Sequence, residues 1–93
     1  MFSVKLPDHT HIVTFQHERH GLPDRRTMCQ VITVFDNGDA PRISLGFARC
    51  SESDNFRRAT GRQLAFSRAL AKARLSQVDL NLVCDEYNRR HRS

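Results

Sequence analysis

What the chain lacks narrows it first. No apolar run approaches the roughly 20 residues that span a bilayer; the longest, VITVF, is interrupted by Thr33. The opening MFSVKLPDH has no long apolar stretch and no small-residue cleavage pattern, so it does not read as a secretory signal. The cysteines are Cys29, Cys50 and Cys84. Their odd number and wide spacing argue against a disulfide framework and for reduced, mostly buried thiols. The glycines stand alone, which leaves no glycine-rich phosphate loop. No repeat, low-complexity tract or linker divides the chain, and residues 1–93 are expected to form one domain.

Sequence signatures of catalysis and metal binding are equally sparse. There is no C-x-x-C pair, no H-x-x-x-H on a helix, and no carboxylate cluster at ligand spacing. His9-x-His11 sets two imidazoles on one face of a strand, and His17 and His20 flank the start of a loop. Without a further pattern these read as solvated histidines. Cys50 precedes a helix start, where a thiolate would gain from the helix dipole, but no orienting pair or oxyanion-hole motif accompanies it. The expectation is a protein that is not an enzyme and holds no cofactor or metal.

What is present is a succession of strands followed by helices. FSVKL (2–6) alternates as a half-buried strand, Pro7-Asp8 breaks it, and HIVTFQH (11–17) resumes the alternation. ERHGLPDRR (18–26) reads as a loop. Within TMCQVITVFDNGDAPRISLGFARC (27–50), Asn37-Gly38 predicts a type I′ hairpin, because that turn needs positive φ at both central residues. The implied register sets Ile32 opposite Ile43, Gln30 opposite Leu45 and Met28 opposite Phe47, with that face toward the core. A helix over 56–74 would cover it with the stripe Phe56, Ala59, Gln63, Phe66, Leu70 and Ala73. Ser51-x-x-Asp54 resembles its capping pair, and Gly61 would permit close approach to the sheet. Ser76-Gln77-Val78-Asp79 opens a second helix through about residue 90, with Leu80, Val83, Cys84 and Tyr87 on one side and a frayed basic tail. The fold class is therefore α+β: an antiparallel meander of three to four strands packed on one face by a long amphipathic helix and a second short one.

Charge is distributed unevenly. The net charge is +5. Residues 1–50 hold six Lys/Arg against five Asp/Glu, while residues 51–93 hold nine against five. NFRRATGRQLAFSRALAKAR (55–74) carries no acid. Solvated helix faces usually mix signs for i,i+4 pairing, whereas Arg58/Arg62 and Arg68/Lys72 place like charges four apart. The guanidinium fork suits phosphate and carboxylate. Arg57, Arg58, Arg62, Arg68 and Lys72 are thus read as an outward binding face for a polyanion. Arg25 and Arg26, ahead of the hairpin, are second-rank candidates.

The segment CSESDNFRRATGRQLAFSRALAKA also resembles a C-terminal motif of small bacteriophage- and prophage-encoded proteins, D-x-F-(S/R)-(R/K)-x-x-G-R-x-x-A-x-x-R-A-L, here Asp54 through Leu70. Size, basicity and layout resemble the phage anti-CRISPR proteins, in particular inhibitors of type I Cascade-like (Csy) surveillance complexes. That resemblance implies a non-enzymatic inhibitor in the host bacterial cytoplasm. It would dock on Cas backbone subunits, the guide RNA or both, and block pairing with target DNA. A general nucleic-acid-binding phage accessory protein is the alternative. An exposed sheet edge would also support a homodimer.

Overall fold

The computed structural model describes residues 1–18, 25–50 and 58–91, with the side chains of Glu18, Arg25, Cys50, Arg58 and Ala59 excepted. Four strands, β1 (Phe2–Lys5), β2 (His9–Glu18), β3 (Arg25–Phe35) and β4 (Arg42–Cys50), precede two helices, α1 (Arg58–Ala73) and α2 (Gln77–Arg90). The strands form one antiparallel sheet in the order β1-β2-β3-β4, as the alternating segments and short connections require. Both helices pack on the same face, α1 over β3 and β4 and α2 toward β1. The α+β meander is therefore as expected. The strands run further than the apolar alternation alone indicates, since the β2–β3 ladder continues to Glu18↔Arg26 at one end and His9↔Phe35 at the other.

The β3–β4 register is the one the hairpin reading requires: Ile32 pairs Ile43, Gln30 pairs Leu45 and Met28 pairs Phe47. The turn itself differs. Gly38 has a φ of +88°, and among the described residues Arg74 is the only other position with positive φ, so Asn37-Gly38 is not a type I′ pair. Pairing between the strands stops at Thr33↔Arg42. Pro41 has no N–H for the ladder, so the connection widens to span 36–41. Within it Asp39 N–H donates to Asn37 Oδ1 at 3.0 Å, and Gly38 N–H reaches the Phe35 carbonyl at 3.4 Å.

The buried face of the sheet is the opposite of the expected one. Thr27, Cys29, Val31 and Thr33 of β3 are buried, and Gly46 and Ala48 of β4 lie over them on the same side. Ile43 is 58% exposed. The reason is helix approach. Gly61, Ala65 and Ala69 form a small-residue ridge on α1, and a β-carbon at Gly46 would collide with the Ala65 carbonyl and the Ala69 amide. Branched side chains on that face would hold the helix away; Ser44, Gly46 and Ala48 admit it.

This docking rotates α1 relative to the predicted stripe. Its buried face is Gly61, Ala65, Phe66, Ala69 and Leu70, and Gln63 lies in solvent. Beside the small ridge, Phe66 stacks on Tyr87 with centroids 4.3 Å apart and rings 9° from parallel. Phe2 and Phe15 approach Phe66 at 6.4 and 6.2 Å. Val13, Val31 and Val83 complete this core. In α2, Val83 and Tyr87 are buried, with Leu80 and Cys84 packed beside the core, as the spacing predicts. Ser76 is the N-cap, its hydroxyl accepting from Asp79 N–H at 3.2 Å. The helix ends at Arg90, where the spacing sets its end, and Glu86 pairs Arg89 and Arg90 over its last turn at 2.7 Å each. Ser51, Asp54 and Phe56, expected to begin α1, fall outside the described residues.

Candidate functional sites: the cationic residues and a histidine–aspartate cluster

The described cationic residues of α1 do not share one outward face. Arg57 and the side chains of Arg58 and Arg25 lie outside what the structure describes. Arg62 is half-buried. Its Nε is enclosed and has no hydrogen-bond partner among the described residues, because position 62 shares a face with Ala65, Phe66 and Ala69 at helical spacing. Arg68 and Lys72 are exposed, flanking the neutral residues Thr60, Gln63, Leu64, Ser67 and Ala71 that point most directly to solvent. Arg68 Nη1 donates to the carbonyl of Phe47. That bond ties α1 to β4, an edge strand, and supplies a donor to an edge whose carbonyls would otherwise face water.

The face of the sheet opposite the helices carries Arg26 and Arg49 beside an apolar strip. Strand alternation and register place Ile12 of β2, Met28 and Ile32 of β3, and Ile43, Leu45 and Phe47 of β4 on it. None of these six is buried, and no described element covers them. Arg26 and Arg49 are paired neighbours on the same face; the Arg26 guanidinium sits 4.9 Å above the Phe47 ring. Arg26, a second-rank candidate, thus lies beside Phe47, whose backbone Arg68 holds.

On the helix side, residues from both termini of the fold meet. Strand alternation points His9 and His11 to the same face of β2, as expected. The first turn of α2 brings Asp79 between them. Asp79 Oδ2 accepts from His9 Nε2 at 2.6 Å and from His11 Nε2 at 2.9 Å. The second ring nitrogens are also engaged: His11 Nδ1 lies 2.8 Å from Thr33 Oγ1, and His9 Nδ1 contacts Asp8 Oδ1. His11 is 1% exposed. The His9 imidazole, bonded to Asp79 and to Asp8, is held above its ordinary pKa. The Asp79 carboxyl is held below its own by His11, with His9 and Ser76 contributing, although burial pushes the other way. A cavity of about 300 Å³ opens on the cluster, with Phe35, Arg42 and Arg74 among its walls. Asp79 is legible in the sequence as a helix-cap residue; its role here depends on where α2 docks.

The cysteine arrangement offers no activated thiol among the described side chains. Cys29 is fully buried, and burial pushes its thiol up to about 12. Cys84 is half-buried and also raised, by burial and then by Asp85. Among the described residues no helix is long and apolar enough to cross a membrane. No family model, curated protein or solved structure matches the chain.

Proposed function

We propose that the protein is a non-enzymatic binding module that engages the RNA of a ribonucleoprotein through the face of its sheet opposite the helices and through its β4 edge. The observation that carries this reading is the juxtaposition of an apolar strip, Met28, Ile32, Ile43, Leu45 and Phe47, with Arg26, Arg49 and Arg68 around Phe47. Single-stranded nucleic acid is held by cations that track its phosphates and by apolar or aromatic surface under its bases. The net charge of +5 favours such a partner over an acidic-surface mimic. The phage-like motif over Asp54–Leu70 extends the reading to inhibition of a type I CRISPR surveillance complex, with guide-RNA phosphates as the contact and target pairing as the blocked step. Relative to the expected site, the contact moves from the outer face of α1 to the sheet. Arg68 and Lys72 remain at its border.

The test is a pull-down with the full chain from a lysate containing an assembled type I complex, washed over a salt series. The variant R49E/R68E/K72E serves as the control. Retention of the complex with its guide RNA by the wild type, and its loss in a folded triple variant, is the expected result. Assorted RNA that elutes as salt rises would identify a general single-strand binder instead. Equal retention by the folded triple variant would overturn the reading.

A further inference from the structure

We propose that His9, His11 and Asp79 form a binding site for one divalent transition-metal ion of the zinc class, independently of the sheet face. Three donor atoms of the right chemistry, two imidazole nitrogens and a carboxylate oxygen, lie within 4.8 Å of one another. Zinc binds imidazole nitrogen and carboxylate oxygen at about 2.0–2.2 Å, which in a tetrahedron separates neighbouring ligand atoms by roughly 3.4 Å. The hydrogen-bonded separations of 2.6 and 2.9 Å would open toward that value, and the two imidazoles, within 4.8 Å of each other, would adjust with them, as the ion replaces the Nε2 protons and each ring keeps its proton on Nδ1.

The supporting shell is also the kind a metal site uses. His11 presents Nε2 because its Nδ1 is held by Thr33 Oγ1 inside the core, and His9 presents Nε2 because its Nδ1 is held by Asp8. Such outer partners fix ring orientation and tautomer. Two ligands stand on a central strand of the sheet and the third on the capped first turn of α2. The donors are therefore carried by rigid elements.

Three protein ligands leave a fourth position for water or another ligand. Here that position faces the cavity of about 300 Å³, where Arg42 and Arg74 stand on the wall. Arg42 is braced over the Phe35 ring at 5.7 Å. Arg74 is set at a φ of 51° just past the end of α1. A metal ion with an open position beside two guanidinium groups suits a small anion, a phosphate or a carboxylate, as the fourth ligand.

Cobalt(II), a spectroscopic stand-in for zinc, tests the site in the full chain, with zinc competition and calorimetry alongside. One equivalent should bind and give the visible bands of a low-coordinate nitrogen and oxygen site, with no near-ultraviolet thiolate band. Asp79→Asn and His9→Gln, each checked for native circular dichroism, should weaken binding by more than about tenfold. Thr33→Val should weaken it by about 10–100-fold through the freed His11 ring, the range for outer-shell partners. Inorganic phosphate should shift the cobalt bands in the wild type and not in R42Q/R74Q. No stoichiometric binding by the wild type, a thiolate band, or equal affinity in folded Asp79→Asn and His9→Gln would overturn the proposal. Cobalt bands in the wild type that phosphate does not move would overturn its anion component.

Discussion

At the scale of single residues, burial decides which groups can react. Cys29 sits at the centre of the sheet under α1 with its thiol pushed to about 12, so almost none is thiolate at neutral pH. A variant retaining Cys29 as its single cysteine should react with a disulfide reagent at pH 8 only as fast as the protein unfolds. Reaction within the mixing time of a native sample would show that the core is open. The cluster around Asp79 makes a second prediction for the metal-free protein. Asp79 is depressed by His11 and His9, so its contribution exists above the ordinary carboxylate value and is lost as pH falls through the lower folded value. His9 is raised by Asp79 and Asp8, so its contribution is complete below its ordinary value of 6.5 and is lost as pH rises through the higher folded value. The two overlap most between about pH 4 and 6.5. With chelator present, the difference in melting temperature between wild type and Asp79→Asn should be greatest in that window. A difference that does not vary with pH would exclude this linkage.

At the scale of elements, one close approach sets the packing of α1. Gly46 lies under the Ala65 carbonyl and the Ala69 amide, and backbone cannot swing aside as a side-chain tip can. Gly46→Val should destabilise the fold by about 1–3 kcal/mol or more, read as a lower denaturant midpoint. A midpoint unchanged from wild type would mean that α1 docks elsewhere. Ser76→Ala removes the N-cap acceptor of α2 and should cost about 1 kcal/mol. The same packing explains what the sequence can and cannot reveal. Turn residues, strand alternation and the Ser76 cap are local signals, so the element order, the β3–β4 register and the span of α2 are legible. The choice of sheet face is not, because Cys29, Val31 and Ala48 on one side and Met28, Ile32 and Leu45 on the other are both apolar patterns. Only the match of a Gly-Ala ridge to Gly46 separates them. Hydropathy counts glycine and alanine as weak signals, so the pattern runs the stripe through Gln63 and sets Arg62 outward, whereas Arg62 lies beside the core. His9 and His11 are visible as a same-face pair, while Asp79, 68 residues beyond His11, joins them only through the fold.

At the scale of the whole molecule, the sheet divides two kinds of surface. One side carries both helices, the core and the histidine–aspartate cluster; the other is a half-exposed apolar strip with arginines at its end. Leaving Ile43 58% exposed gains little for the isolated chain, so its replacement separates binding from stability. Ile43→Ser should change unfolding free energy by no more than about 0.5 kcal/mol, the usual range for exposed positions. On the proposed reading it should still weaken binding to a labelled single-stranded RNA. Because it removes no cation, the slope of log affinity against log salt should stay at the wild-type value. Arg49→Gln and Lys72→Gln should lower affinity differently, each making that slope shallower by roughly 0.7 for every phosphate of the single strand that is no longer neutralised. Fluorescence anisotropy across a salt series reads both quantities from one titration. A shallower slope in the arginine and lysine variants, with a parallel displaced line for Ile43→Ser, would assign phosphates to the cations and bases to the apolar strip. Three lines superimposed on the wild type would show that nucleic acid does not touch this face.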